Sequence, residues 1–233
     1  MKSLFFYCLF LLPFSSIFAQ VENEINIRKD VIDYYWEMSS ADQDLIHYPI
    51  ELKDKKWLTV SNADYELEAD VDYRKGYIFI KDPGNGAEDK ANSYQFVIYE
   101  RKKDDPLIAI SKKKFINNKW VTEIGFWEKR SGLWTNIANE VAPDLSYQDY
   151  LEGGREQHKM DSTLAGLLPI YYNLPKKGKS IKVFLLSEGL TAYCMNDNPD
   201  DKHCPIRQYI KFQVAELRWN KGKSTFSVNK FQK

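Results

Sequence analysis

The most oxygen-rich segment of the chain is the loop 196–201, which reads Asn-Asp-Asn-Pro-Asp-Asp. Calcium binds about six to eight oxygen ligands, and the carboxylates of Asp197, Asp200 and Asp201 are of the kind that it prefers. The loop lacks the glycine and the closing glutamate of an EF-hand. It is therefore a candidate calcium site, with a solvated loop as the simpler interpretation, and no other cofactor is predicted.

Cys194 and Cys204 flank this loop. Two cysteines in an oxidising compartment most simply form a disulfide. Closing so short a loop would stabilise the fold by roughly 3 kcal/mol. The alternative is a metal site that uses both thiolates, but such a site needs further ligands, and only His203 is adjacent. The sequence therefore predicts a Cys194–Cys204 disulfide.

A glycine pair, Gly153-Gly154, comes just before Arg155 and His158. An anion could lie against free backbone N–H groups at the start of a helix there, next to the guanidinium and the imidazole. Glycine pairs also punctuate chains before helices, and the segment has no phosphate-loop pattern. Arg155 and His158 are thus candidate ligand-binding residues.

Trp120, Trp127 and Trp134 recur at regular spacing across a predicted hairpin. Tryptophan rings on an exposed face can stack on sugar rings, although aromatic side chains fill cores first. Trp120 and Trp134 belong to different predicted strands, so the strand register decides whether they meet. The tryptophans are candidate ligand-binding residues, with core packing as the alternative.

An acidic row alternates with apolar residues between Tyr65 and Tyr73. It consists of Glu66, Glu68, Asp70 and Asp72. Alternation of this kind predicts one half-buried strand whose carboxylates share the outer face. These carboxylates could bind calcium or a basic partner. The alternative is a solvent-facing edge whose charges meet nearby lysines and oppose aggregation.

Catalytic motifs are missing from the sequence. The chain has 3 histidines, and it contains neither a His-Glu-X-X-His metal motif nor a Gly-X-Ser-X-Gly nucleophile elbow. Paired carboxylates could still act in a glycosidase, but that chemistry depends on a separation in space that the sequence does not give. The catalytic residues are therefore unknown, and a noncatalytic protein is favoured.

Residues 1–19 have the order of a cleavable signal peptide. Lys2 precedes an apolar run from Leu4 to Pro13, and small residues lead to Ala19. An uncleaved anchor is the alternative, but the run is shorter than the roughly 20 residues of a membrane span. Since no second such run follows, no membrane anchor is expected after cleavage. The mature chain is expected in the periplasm or outside the cell.

Charge is balanced along the chain, with 33 basic and 33 acidic residues interspersed. A nucleic-acid-binding protein would usually display a basic stripe, so that class is not expected. No linker rich in proline, glycine or serine divides residues 20–233. We expect one exported β-rich domain, with 143–168 as the place where it could be subdivided.

Hydrophobic periodicity predicts the elements that position these residues. Ile27, Val31, Tyr35 and Met38 recur at helical spacing, and Trp36 widens the stripe. The period then changes to two, and short turns between the segments favour antiparallel pairing. The predicted strands are 65–73, 77–81, 94–101, 107–112, 119–128, 133–137, 170–173, 181–187, 206–219 and 225–231, with short helices at 146–151 and 161–168.

The predicted fold is α+β and β-dominant, with the N-terminal helix packed on antiparallel meander sheets in a half-barrel or a two-section sheet. Abundant aromatic strand residues without a catalytic motif favour an exported noncatalytic binding or accessory protein of the cell envelope. Its partner would be an envelope protein or a glycan. Two alternatives stay open: a carboxylate-dependent hydrolase acting on an envelope or extracellular polymer, and an inhibitor or immunity-type protein.

Overall fold

The computed structural model describes residues 29–41, 46, 48–60, 65–83, 90–102, 105–197 and 200–233. The predicted signal peptide 1–19 and Ile27 of the predicted helix lie outside these residues. So do residues 198–199 of the predicted calcium loop, and of Asp197 only the backbone is described. The described helices are all too short or too polar to span a membrane.

Helix α1 covers Val31–Ala41. Asp30 precedes the helix and caps it, because its carboxylate accepts hydrogen bonds from the backbone N–H groups of Ile32 and Asp33. The predicted apolar stripe is buried at Val31, Tyr35 and Met38. Trp36 differs from the prediction, because it is 47% exposed.

A small antiparallel sheet lies beside α1, with its strands in the order β1-β2-β3. Its strands are β1 (Ile50–Lys53), β2 (Lys56–Val60) and β3 (Glu66–Glu68). The Trp36 indole N–H donates to the backbone carbonyl of Ile50 at 3.3 Å. The helix and the small sheet therefore form one layer.

A six-stranded antiparallel meander forms the middle layer, in which consecutive strands are neighbours. Its strands are β4 (Asp70–Asp72), β5 (Tyr77–Asp82), β6 (Asn92–Lys102), β7 (Asp105–Ile116), β8 (Lys119–Arg130) and β9 (Leu133–Asn136). Asn117 and Asn118 join β7 to β8 with φ angles of 49° and 59°. Asparagine tolerates this left-handed conformation, which two-residue hairpin turns need in order to follow the strand twist.

The third layer holds short helices and a four-stranded antiparallel sheet in the order β10-β11-β12-β13. The helices are α2 (Ala138–Val141), α3 (Gly154–Gln157), α4 (Ser162–Leu167) and α5 (Glu188–Ala192), with 3₁₀ turns at Tyr147–Tyr150 and Cys204–Tyr209 and a π-helix at Tyr193–Asp197. The strands are β10 (Ile170–Asn173), β11 (Ser180–Leu185), β12 (Val214–Asn220) and β13 (Thr225–Gln232).

Two hydrophobic cores lie on opposite faces of the six-stranded sheet. Phe96 faces α1 and packs against Tyr35, while its neighbour Val97 belongs to the core shared with the four-stranded sheet. Successive side chains of a strand point to opposite faces, so one strand supplies both cores. Each fully buried side chain of this kind contributes about 1.5–3 kcal/mol. This double burial explains why 107–110 is continuously apolar.

A buried amide joins the two large sheets. The Gln95 side chain donates to the Asn173 side-chain oxygen at 2.9 Å, and its own oxygen accepts from the Leu174 backbone N–H at 2.8 Å and from the Tyr171 hydroxyl at 3.2 Å. Buried polar groups are costly unless they are paired, and here both the nitrogen and the oxygen of the Gln95 amide have hydrogen-bond partners. Gln95 therefore fixes how β6 lies against β10.

The predicted α+β, β-dominant class is confirmed, and the β structure falls into separate antiparallel sections, none of which closes into a barrel among the described residues. The predicted strand 65–73 was wrong as one element. It breaks at Ala69, so that β3 pairs with β2 in the small sheet whereas β4 pairs with β5 in the large one. The predicted strand 206–219 was also too long, because 204–209 forms a 3₁₀ turn and β12 begins at Val214.

Candidate functional site

The predicted calcium loop is partly helical, since Tyr193–Asp197 continues α5. The Asp201 carboxylate accepts hydrogen bonds from the His203 backbone N–H at 2.8 Å and from the Tyr193 hydroxyl at 3.1 Å. The backbone bond is the main cause that holds the pKa of Asp201 below its ordinary value. Within the described ranges, no group of three or more His, Cys, Asp or Glu side chains is placed to hold a metal ion. Calcium binding by Asp197, Asp200 and Asp201 stays a prediction.

Cys194 and Cys204 lie at disulfide distance, with their Cα atoms 5.6 Å apart. The Cys194 side chain is buried in the core beneath the four-stranded sheet. The pair therefore joins the helical segment after β11 to the 3₁₀ turn that precedes β12.

His203 lies between two carboxylates. Its Nδ1 contacts Asp201, and its Nε2 lies 3.2 Å from an Asp161 oxygen. Asp161 also caps α4, and it lies 42 residues away in the chain, so sequence spacing gave no sign of this contact. With both ring nitrogens engaged, His203 ties the loop that carries the cysteines to α4.

Arg155 and His158, predicted to bind an anion, have partners within the fold. The Arg155 guanidinium contacts both oxygens of Asp149 at 2.8 Å and one oxygen of Asp144 at 3.1 Å. The His158 Nε2 lies 2.9 Å from the Glu152 carbonyl oxygen. His158 and His203 line one shallow cavity, and Arg155 is not among the residues that line it. Ligand binding by Arg155 and His158 stays a prediction.

The predicted tryptophan platform is divided between two faces. Trp120 and Trp127 both lie on β8 at positions of opposite parity, so they point to opposite sides of the sheet. Trp127 and Trp134 pack against the core that contains α1. Trp120 is buried beneath the Lys113 ammonium, which lies 4.2 Å from the ring centroid. Trp120 and Trp134 therefore do not meet, and sugar binding by these residues stays a prediction.

The acidic row is paired with lysines, as the solvent-facing interpretation predicts. Lys53 and Lys56 contact Glu66 and Glu68 at 2.5 and 2.7 Å. The two aspartates pair with Lys75 and Lys176 instead: Asp72 with Lys75 at 2.6 Å, and Asp70 with Lys176 at 2.5 Å. Lys75 and Lys176 also line a groove at the surface.

Five lysines line one groove of about 350 Å³ between the two large sheets. We call it the lysine groove, and its lysines are Lys75, Lys176, Lys177, Lys179 and Lys221. Among its lining residues, only Glu100 carries a carboxylate, and it lies 3.9 Å from the Lys221 ammonium. Since the chain as a whole is neutral, this is a local concentration of positive charge.

The lysines of the groove come from three turns. Lys75 lies in the β4–β5 turn, Lys176, Lys177 and Lys179 in the β10–β11 turn, and Lys221 in the β12–β13 turn. Two of these turns depend on glycines. Gly76 has a φ of 60°, and a Cβ there would lie 3.0 Å from the Ile98 Cβ, while Gly178 has a φ of 86°. Both residues adopt the left-handed conformation that glycine reaches without strain.

Lys177 and Lys179 are the exposed cations of the groove for which the described residues provide no carboxylate partner. The Lys179 backbone is fixed, because its carbonyl accepts a hydrogen bond from the Trp219 backbone N–H at 3.0 Å. An exposed ammonium that has no counter-ion and is carried by an ordered backbone favours the binding of an anionic group of a ligand.

Tyr99 also lines the lysine groove, next to Trp219, with ring centroids 5.6 Å apart. Its hydroxyl is buried and has no hydrogen-bond partner among the described residues. Burial raises the pKa of Tyr99 well above its ordinary value, so the hydroxyl keeps its proton and remains a donor. Most buried polar groups are paired, and an unpaired one often marks a functional site.

The sequence contained a signal for this groove in its lysine-rich turns. The segment Lys176-Lys177-Gly178-Lys179 and the segment Lys221-Gly222-Lys223 are both basic and both carry glycine. Taken separately they are ordinary polar turns. Only the pairing of β11 with β12 brings them to the same end of the sheet.

Comparison with known proteins gives no function. No family model matches the chain, and no curated protein matches it. A similar solved structure is described as a domain of an uncharacterized protein from Porphyromonas gingivalis W83. It is 12% identical, the match covers 78% of this chain and 79% of that chain, and the TM-score is 0.46. A likeness at that level gives no indication of function.

Proposed function

We propose that this chain is an exported, noncatalytic binding protein whose lysine groove holds anionic groups of its ligand. The observation that carries the proposal is the pair Lys177 and Lys179, exposed in a groove without a carboxylate partner among the described residues.

Export is supported by the signal-peptide pattern of residues 1–19 and by two cysteines at disulfide distance, since disulfides persist in oxidising compartments. A binding role agrees with a groove that is open at the surface and has converging charges. Its contacts are exposed, so each ammonium contributes little by itself, and affinity has to come from several charges at once.

The test is titration of the mature chain with inorganic polyphosphate, a polyanion without rings, followed by calorimetry. We expect binding that weakens as salt is raised, because exposed charges are screened. The double variant Lys177→Gln and Lys179→Gln should weaken binding roughly tenfold. The matched control is Lys119→Gln with Lys182→Gln, two exposed lysines that line none of the cavities described above.

Equal affinities of the two double variants would contradict the proposal. Steady breakdown of a bound envelope polymer would instead favour the hydrolase alternative. The carboxylates to examine would then be Asp30, Glu100 and Asp105, which line the cavity next to the groove.

A further inference from the structure

A strip of aromatic rings lies on the surface formed by α1, β2 and the β4–β5 turn. It consists of Trp36, Trp57 and Tyr73, and we call it the aromatic strip. Trp36 and Trp57 have ring centroids 5.8 Å apart, and Trp57 and Tyr73 have centroids 6.4 Å apart. Trp36 and Tyr73 are each 47% exposed. Large apolar side chains exposed side by side favour a binding surface over ordinary surface packing.

Hydrogen bonds within the protein hold the rings in place. The Trp36 N–H donates to the Ile50 carbonyl at 3.3 Å, and the Trp57 N–H donates to the Tyr73 hydroxyl oxygen at 2.6 Å. Both indole N–H groups are therefore used within the protein, and a ligand meets the carbon atoms of the rings. Rings that are already ordered lose little conformational entropy on binding, which makes stacking on them more favourable.

The aromatic strip is continuous with the lysine groove. Tyr73 lines a cavity of about 550 Å³, together with Arg74 and Lys75. Lys75, Ile98 and Glu100 line both this cavity and the lysine groove. One surface thus runs from exposed rings, through a cavity, to exposed ammonium groups.

We infer that the ligand is an acidic polysaccharide whose sugar rings stack on the aromatic strip while its carboxylate or sulfate groups reach the lysine groove. This inference rests on the proposed function. A pyranose presents C–H bonds on its face, which suit the negative face of an aromatic ring. It presents hydroxyls at its edge. These hydroxyls can accept hydrogen bonds from the cations that line the connecting cavity and donate to the carboxylates that line it.

A polysaccharide fits this surface better than an acidic peptide does. A peptide would bring backbone N–H and C=O groups to the strip, where the indole N–H groups are already used. Rings spaced along a chain can engage the strip and the groove together, and linked contacts raise affinity beyond that of either.

The experiment compares four probes on the mature chain: oligogalacturonate, heparin, polyphosphate and polyglutamate. We expect at least one of the two polysaccharides to bind more tightly than polyphosphate at the same salt. The double variant Trp36→Ala and Tyr73→Ala should weaken the binding of that polysaccharide about tenfold and leave the affinity for polyphosphate unchanged. The control is Leu133→Ala, which removes another exposed apolar side chain, on β9. Circular dichroism of each variant checks that the fold is retained.

The outcomes separate this inference from the proposed function. If polyphosphate binds through Lys177 and Lys179 but neither polysaccharide binds more tightly, the inference is wrong and the anion site stands. The same conclusion follows if the aromatic variant has no effect on the binding of the polysaccharide. If the aromatic variant weakens the binding of polyglutamate instead, the partner is an acidic protein and the inference is wrong. If no polyanion binds, both are wrong.

Discussion

The ammonium nitrogen of Lys176 lies 2.7 and 2.5 Å from the two carboxylate oxygens of Asp70, a residue 106 positions earlier in the chain. The contact joins β4 of the middle sheet to the β10–β11 turn of the four-stranded sheet. Both side chains are more than 40% exposed, so the pair stabilises the fold by no more than about 1 kcal/mol. Its larger effect is electrostatic, because Asp70 neutralises one lysine of the groove.

Asp70→Asn should therefore strengthen the binding of polyphosphate about two- to threefold, because it frees the Lys176 ammonium for the ligand. The free energy of unfolding should fall by less than about 1 kcal/mol. Calorimetric titration and urea unfolding measure the two effects. In the control, Glu68→Gln frees Lys56 outside the groove and should leave affinity unchanged. Weaker binding by Asp70→Asn would show that the ion pair shapes the groove instead of competing for it.

Tyr99→Phe should raise the stability of the fold and leave the affinity of the groove unchanged. Removing a buried hydroxyl without a partner should raise the free energy of unfolding by about 1 kcal/mol. Polyphosphate binding should stay unchanged, because the buried hydroxyl does not reach a ligand in the groove. The comparison variant is Tyr150→Phe, whose hydroxyl donates to the Val183 carbonyl at 2.9 Å and whose loss should destabilise by about 1 kcal/mol. Destabilisation by Tyr99→Phe would mean that its hydroxyl is paired in solution.

Gln95→Leu should lower the free energy of unfolding by about 2–4 kcal/mol, because it leaves the buried Leu174 N–H and the half-buried Asn173 side chain without their partner. Urea unfolding at neutral pH measures this. Gln232→Leu serves as the control, since the Gln232 amide makes one 3.5 Å contact with Glu216, and it should change stability by less than about 0.5 kcal/mol. Equal effects of the two variants would show that the sheets are held by apolar contacts alone.

Acid should loosen the helix α4. The Asp161 carboxylate accepts from the Thr163 and Leu164 N–H groups at 2.8 and 3.1 Å, and the bond from Leu164 is the main cause that lowers the pKa of Asp161. The folded chain then binds fewer protons than the unfolded one. The stabilisation is present above the ordinary pKa of about 3.9 and is lost as the pH falls through the lower folded value.

Asp161→Asn tests this because asparagine can cap a helix but does not titrate. Unfolding free energies measured at a series of pH values below about 5 should depend less steeply on pH in the variant than in the parent chain. Parallel curves would show that Asp161 has the same pKa in both states.

The cysteine pair should stabilise the fold by constraining the unfolded chain. Replacing Cys194 and Cys204 together by serine should lower the free energy of unfolding by about 2–3 kcal/mol. A reducing agent should lower the free energy of unfolding of the parent chain to the value of the double variant, and it should leave the double variant unaffected. A parent chain insensitive to reductant would mean that the cysteines are not bonded.

Local patterns in the sequence determined the class of fold. Strands 77–82, 92–102 and 105–116 were predicted within a few residues, because each is a local run whose alternation and flanking turns depend on neighbours in the chain. The helix α1 followed from the spacing of Val31, Tyr35 and Met38 for the same reason. Likewise, the cysteine pair was predicted from its short spacing and from the signal-peptide pattern of residues 1–19.

Tertiary structure decided where each strand ends and which side chains meet. The alternation from Tyr65 to Tyr73 is uniform, yet the segment divides at Ala69 between two sheets, because pairing with different partners outweighs a shared pattern. Trp36 was predicted to widen the apolar stripe of the helix, but it lies exposed beside Trp57, whose position is set by β2. Local periodicity gives a side chain's direction and says nothing about what covers it.

The lysine groove depended wholly on the tertiary structure. Its cations come from three turns that are far apart in the sequence, and each turn taken alone is an ordinary solvated segment. Charges act through space, so their concentration appears only when strand pairing brings the turns to one end of the sheets. The sequence determined the strands and turns of this protein, while the folded chain decided which of its charges would act together.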